Sequence, residues 1–398
     1  MDVSGIREDF PTLKKGDHVY LDSACQSLKP ESVIDSMLSY YREYPACGGR
    51  SVHSMATKVS MRVDGAREKI ARFFSSKDPN EFVFTKNCTE SLNMIAKGLK
   101  FKRGDIIVTG DAEHNSNHIP WIGLMETAGI KRRFARTSVR GEFDMEAFKE
   151  TMDRNVKMVS ISHTSNVTGV TVPLKEIVEI AHDHGALVLA DGAQAAPHVP
   201  VSLPDLDVDF YAASGHKMLG PSGVGILYGK MELLKGLEPL ISGGGTVGLA
   251  TYDSIKLSPP PERFEAGLLN YSGIIGMGAA VDYLQKIGMK NIHEHETHLQ
   301  KVLQKEIADL GLDIVGPEDP AKRGGVFSFN IKGLESHDVA MMLDTKGIMI
   351  RSGMHCAHPF FVSRNIHGCA RASVYLYNND AEMVKFADSL RKVIETFA

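Results

Sequence analysis

No uninterrupted hydrophobic run in this sequence approaches the ~20 residues that a bilayer-spanning helix requires, so no membrane partner is expected. The opening stretch, MDVSGIREDFPTLKK, lacks the apolar segment of a secretory leader. Positive charge is not in surplus: 45 Lys and Arg stand against 49 Asp and Glu, for a net charge of −4. With no basic face to release counterions, no nucleic acid is expected as a partner. Cysteine is sparse and odd in number, five in 398 residues, which excludes a disulfide framework and points to reduced thiols in the cytoplasm. Internal repeats, low-complexity tracts and long charge blocks are missing too. What is present, 43% hydrophobic and 24% charged residues, suits a globular chain with ample core. The length sets two domains as the starting expectation.

Through the first two-thirds, short apolar or β-branched runs alternate with helix-like segments. EFVFT precedes ESLNMIAKGLK, in which Leu92, Ile95, Ala96 and Leu99 share a helical face. GDIIVTG, VKMVSISH, ALVLAD, VDFYAAS and GVGILYG continue the strand series, with LKEIVEIAHDHG as a crossover helix. This pattern predicts an α/β fold, a mostly parallel sheet covered by helices on both faces. The Gly/Pro-rich residues 243–275 read as an inter-domain passage. The expected division is an N-terminal segment (1–20) folded back on the small domain, a large domain (21–260), and a smaller α+β C-terminal domain (261–398). The second boundary is placed near residue 260, give or take a helix. RASVYLY is read there as a strand.

Two strand ends carry the chemistry. LVLADGAQ places Asp191 at the end of one apolar strand, and FYAASGHKML places Lys217 just beyond another. In open α/β sheets the ligand crevice lies at the carboxyl ends of the strands. A lysine and a carboxylate in that crevice suit pyridoxal 5'-phosphate: the amine forms a Schiff base and the acid keeps the pyridine nitrogen protonated. Taken singly, Asp191 reads as well as a turn cap and Lys217 as a surface lysine; Ser214 and His216 beside the lysine strengthen the pair. TKNCTES runs from a strand into a helix, so the N–H groups around Cys88, Thr89 and Glu90 would cradle a phosphate, or else Thr89 and Glu90 only cap the helix. His114, in DAEHNSNHIPW, could stack on a cofactor ring. His118 follows at helical metal spacing, but no glutamate follows His114 as a metalloprotease would need.

The remaining motif is RSGMHCAHP, a cysteine between two histidines. Cys356, His358, His367 and Cys369 offer a zinc-type ligand set, but each outer pair is separated by one residue, tighter than the usual two to four. No metal is assigned, and Cys369 is read as a small buried hydrophobe. GGGTVG matches a dinucleotide fingerprint, yet no amphipathic helix follows it. HEHETH reads as a solvated helical face.

Taken together, YLDSA, TKNCTES, AEHNSN, SHTSNVTG, ADGAQ, SGHKMLGPSGVGILY, RFEAG, RSGMHCAHP and CARAS closely resemble the SufS-type (group II) cysteine desulfurases, which are fold-type I pyridoxal-phosphate enzymes grouped with the class V aminotransferases. The resemblance runs in order over nearly the whole chain. It implies that Lys217 is the Schiff-base lysine, Asp191 the pyridinium partner, Gln194 the partner of the phenolic oxygen and His114 the stacking histidine. Thr89, Ser214 and His216 would hold the phosphate. Arg371 would clamp the substrate carboxylate, with Asn166 nearby, and Arg50 and His53 would line the entrance. A bidentate guanidinium suits a carboxylate. The family also implies a homodimer. Three departures stand out: Met354–His355 replaces a His pair, Leu268 replaces a threonine that reaches the partner subunit's phosphate, and Cys25 takes a small residue's place with no role assigned.

The resemblance implies conversion of L-cysteine to L-alanine, with Cys356 taking the sulfur as a persulfide for a sulfur-acceptor or iron–sulfur scaffold protein. The active nucleophile is the thiolate, which His355, Arg351 or Arg371 could favour electrostatically. Gly353 gives the loop freedom to approach and withdraw. Alternatives on the same scaffold are a selenocysteine lyase, a cysteine/cystine lyase or a non-catalytic sulfur carrier.

Overall fold

The computed structural model describes residues 1–49 and 51–397. Arg50, expected at the site entrance, lies outside the described residues. Seven strands form the main sheet, in the order Phe82–Thr85, Gly225–Gly229, Phe210–Ser214, Leu187–Asp191, Val156–Ser162, Ile106–Gly110 and Lys131–Ala135. Gly225–Gly229 is antiparallel to both neighbours, and every other pairing is parallel. Six strands therefore deliver their carboxyl ends to one edge. Every residue of Ile106–Gly110, Phe210–Ser214 and Gly225–Gly229 is buried, as a sheet covered on both faces requires. Helix Leu174–Asp183 supplies part of that cover through Leu174, Ile177, Val178 and Ala181, a single stripe at helical spacing. Strand Lys131–Ala135 carries no apolar pattern and is absent from the sequence expectation. It closes the sheet edge with lysine and arginine side chains, which discourage further pairing.

A second, four-stranded antiparallel sheet runs Asp313–Ile314, Val326–Asn330, Cys369–Ser373, Arg351–Gly353. Its core joins Leu299, Leu303, Phe327, Phe329, Met383, Phe386 and Leu390. Val19–Tyr20 pairs in parallel with Ile348–Met349, so the chain start is tied to this second unit, while Phe10 enters the main core.

The helix after the Gly/Pro-rich passage packs with the main core. Helix Tyr271–Ile287 buries Ile274, Ile275, Met277, Val281 and Leu284 in the main core, alongside helices Glu31–Glu43 and Ser54–Phe73. RASVYLY is only partly a strand: pairing stops at Ser373, after which Tyr375 and Tyr377 turn into the main core. The reason is polar satisfaction, since the Tyr375 hydroxyl donates to the Pro197 carbonyl at 3.0 Å and the Tyr377 hydroxyl pairs with Ser23 Oγ at 2.7 Å. HEHETH is not wholly a solvated face either. Glu296 is fully buried and lies 2.7 Å from His198 Nδ1. A strand, Val247–Ala250, begins within GGGTVG, so no helix N-terminus stands there to bind a dinucleotide.

Candidate active site

The shared edge of the six strands gathers the predicted residues. Asp191 and Ser214 are the last residues of adjacent strands, and Lys217 follows in the turn Gly215–Lys217. The loop after Ile106–Gly110 carries His114, and the loop after Val156–Ser162 carries Asn166. These five residues, with Cys88, Thr89, Gln194, His216, Arg351, Cys356 and Arg371, line one cavity of about 210 Å³. His53 is not among its lining residues. It is exposed, and its Nδ1 accepts the Ala56 N–H at 3.4 Å as the N-cap of helix Ser54–Phe73.

The cavity residues fit pyridoxal phosphate. Asp191 Oδ1 accepts from Cys88 Sγ at 3.2 Å and from the Ala193 N–H at 3.0 Å, while its Oδ2 has no hydrogen-bond partner among the described residues. Gln194 donates through Nε2 to the Ala24 carbonyl at 2.7 Å, and its buried Oε1 has no partner among the described residues. An unpaired buried acceptor on the cavity wall marks a place for a polar ligand group. Helix Cys88–Gly98 opens at the same wall, with Asn87 capping Glu90 N–H. Cys88 N–H donates to Ser214 Oγ at 2.9 Å, while the Thr89 N–H has no partner among the described residues. The helix start can approach this closely because position 225 is glycine, where a Cβ would stand 2.5 Å from the Asn87 Cα. The Thr89 hydroxyl is shared with Ser116 at 2.7 Å.

Burial in the cavity depresses its basic groups. Burial lowers the Lys217 pKa, and the neighbouring Asp191 opposes that shift. Burial, then the Lys217 charge, brings His114 down to about 4, so its imidazole is neutral and suited to stacking. Burial likewise brings His216 to about 4 and raises the Cys88 thiol well above its ordinary value. Cys88 is therefore a protonated donor to Asp191 rather than a nucleophile.

Facing this wall are the arginines and the cysteine loop. Arg371 is 2% exposed and donates through Nη1 to the Asn166 carbonyl at 2.9 Å, while its buried Nε has no partner. Cys356 is exposed, and its backbone and that of His355 occupy the left-handed region at φ 56° and 46°. The Asn166 side chain, expected near the substrate, donates to the His355 carbonyl at 2.7 Å. His355 is a neutral ring near pH 7 and so brings no positive charge to the loop. Burial, then Arg371, takes it to about 3, and its ring pairs through Nε2 with the Cys369 carbonyl. Cys369 is fully buried, and among the described residues no three metal-binding side chains gather, so the zinc-type set is not assembled. Similarly, His118 pairs with Arg132 at 2.9 Å.

The sequence reasoning missed three groups. Asp22 lies against both Arg351 and Arg371. Its signal was present in YLDSA, a short strand followed by an acid, the same grammar as ADGAQ. Lys29 donates to the Ser27 and His216 carbonyls and, through burial, has its pKa lowered to about 7; it braces the turn that carries Lys217. Glu113 is 3% exposed and accepts from Ser162 and Asn117, and burial raises it to about 7. Cys25 also lines the cavity.

A mostly parallel sheet whose strand ends bring together an amine, a carboxylate and an anion-binding helix start defines a fold-type I pyridoxal-phosphate enzyme. Comparison with known proteins gives the family. The pattern described as "Aminotransferase class-V" matches residues 19–386, and the chain belongs to that family. A relative named "Probable cysteine desulfurase", from Halalkalibacterium halodurans, is 39% identical and covers 100% of this chain and 99% of its own length. The apo structure of the cysteine desulfurase from Thermococcus onnurineus NA1 superposes with a TM-score of 0.95 at 38% identity, covering 99% of this chain and 98% of its own. The Escherichia coli cysteine desulfurase CsdA, in its S-sulfonic acid form, gives a TM-score of 0.93 at 31% identity, covering 100% and 99%.

Proposed function

We propose that this chain is a cysteine desulfurase that converts L-cysteine to L-alanine and retains the sulfur as a persulfide on Cys356, for iron–sulfur cluster assembly. The observation that carries the reading is that Lys217, Arg371 and the exposed Cys356 line one cavity. Lys217, Asp191 and Gln194 would hold pyridoxal phosphate through its aldehyde, ring nitrogen and phenolic oxygen, with Thr89, Ser214 and His216 at its phosphate and His114 on its ring. The bound cofactor supplies an electron sink at the substrate's α-carbon. Lys217, its proton affinity reduced by burial, takes and returns the α-proton. Arg371 and Arg351 receive the substrate carboxylate. Cys356 Sγ forms an S–S bond to the substrate sulfur as the substrate's C–S bond breaks, and the freed carbon gains a proton to become the alanine methyl group. Gly353, at φ 106°, gives the loop its hinge.

Incubation with L-cysteine should yield alanine together with a one-sulfur mass gain on the Cys356 peptide. Both should disappear in Cys356→Ala. Desulfuration at the wild-type rate by that variant would sink the persulfide route and favour a lyase. The family's homodimer is supported by apolar side chains left bare on the single chain, among them Val52, Ile241, Leu249, Ile255 and Leu268. Leu268 offers no hydrogen bond to a partner's phosphate. No helix among the described residues is long and apolar enough to cross a membrane. Five free cysteines suit a cytoplasmic setting, where a persulfide is passed to an acceptor protein. The loop cysteine belongs to the second, smaller domain, and the larger one holds the cofactor.

A further inference from the structure

The two arginines that face the cavity are not free: a carboxylate of the chain itself already lies between them. Arg351 meets Asp22 with both ends of its fork, Nε at 3.2 and 3.1 Å from Oδ1 and Oδ2, and Nη2 at 3.0 Å from Oδ2. Arg371 Nη2 approaches Asp22 Oδ1 from the other side at 3.4 Å. Asp22 is held in place by its own backbone. Its carbonyl accepts from the Cys25 and Gln26 N–H groups, and the residue bridges to Ser373 beside strand Cys369–Ser373, which carries Arg371. The carboxylate thus sits on a rigid turn, tied to the strand of one of the arginines it contacts.

Charge counting gives this arrangement a consequence. Two guanidinium groups and one carboxylate leave a single positive charge in excess, and one Arg371 nitrogen, Nε, is buried without a partner. This three-residue cluster can therefore neutralise one further carboxylate. A second would find no surplus positive charge in the cluster and would add to the negative charge of Asp22, which lies against both arginines in a half-buried site where like charges are poorly screened. We propose that Asp22 is a positioning and specificity residue: it orients Arg351 and Arg371 and restricts the cavity to ligands bearing a single carboxylate. The proposal rests on the reading of the arginines as the carboxylate clamp and adds to it a preference for monocarboxylic over dicarboxylic ligands.

The test is equilibrium binding of propionate and malonate to the holoenzyme by calorimetry. Neither probe contains sulfur or an amine, so binding is read without turnover, and its outcome is separable from that of the Cys356→Ala experiment. Wild type should prefer propionate. Asp22→Asn preserves the side-chain shape but frees one positive charge, and should shift the preference toward malonate by about tenfold, the scale of one added charge-assisted contact. Asp22→Glu retains the charge and should retain the wild-type preference. A merely structural role would weaken both probes equally in Asp22→Asn, and that result, or an unchanged ratio, overturns the proposal. Should Asp22→Asn fail to fold, Asp22→Ser removes the same charge and takes its place; an unchanged propionate-to-malonate ratio overturns the proposal.

Discussion

The Asn115 N–H donates to the Cys356 carbonyl at 2.6 Å, so the loop bearing the sulfur nucleophile is fastened to the loop that begins at His114. The second fastening is Asn166 Nδ2 to the His355 carbonyl at 2.7 Å. Together they hold two non-glycine residues in left-handed backbone, a conformation that costs about 1–2 kcal/mol per residue. Removing one fastening should let that strain open the loop. In Asn166→Ala, Cys356 is expected to react with iodoacetamide severalfold faster than in wild type, while alanine production falls. An unchanged alkylation rate would show that the loop is held by other contacts.

Alkylation of the native protein should also separate the two exposed thiols from the two buried ones. Cys47 and Cys356 are exposed, whereas Cys88 and Cys369 are buried. Burial raises both buried thiols, Cys369 to about 12, so neither supplies thiolate near neutral pH. Peptide mapping should find label on Cys47 and Cys356 first, and on Cys88 and Cys369 only after unfolding.

Acid should weaken the fold through its buried histidines. His163 is 6% exposed and shares a hydrogen bond with the Tyr211 hydroxyl, and burial lowers it to about 4. A histidine depressed on folding contributes stability that is complete above its unfolded value near 6.5 and is lost as pH falls through about 4. In His163→Gln, denaturant titrations from pH 7 to pH 4 should show a shallower loss of stability, the difference reaching the order of 1–3 kcal/mol. Parallel curves for the two proteins would remove His163 as the cause.

Glu113 should act with the opposite sign. Its folded value is raised to about 7, so its contribution is complete below the ordinary value of 4.5 and is lost as pH rises through about 7. Relative to wild type, Glu113→Gln should gain stability as pH rises from 5 to 8, and a difference that does not change with pH would contradict this.

Arg67 and Glu265 form a buried bidentate pair at 2.8 and 2.9 Å, and Glu265 Oε1 also accepts the Phe84 N–H at 2.7 Å. Truncating one partner leaves the other charge buried alone, an effect of about 3–5 kcal/mol. Glu265→Ala should therefore lower the denaturation midpoint strongly, and a shift below about 1 kcal/mol would show that water solvates Arg67 in place of the carboxylate.

The chain's linear pattern was enough to reveal the alternating sheet, the acid and the lysine at strand ends and the thiol loop, because apolar periodicity and strand-end polarity are local properties of sequence. It could not reveal the edge strand Lys131–Ala135, whose pairing comes from a neighbour rather than from its own residues. Nor could it place helix Tyr271–Ile287 in the main core, or show His53 spent on a helix cap and the His355 ring turned toward Cys369. Asp22 is the sharpest case. It is 329 residues from Arg351 and 349 from Arg371, and only the pairing of the chain start with the second unit brings the three charges together. Sequence determined which chemical groups exist and which local elements carry them. Tertiary structure decided their partners, because hydrogen bonding and charge neutralisation act between groups adjacent in space, whatever their separation along the chain.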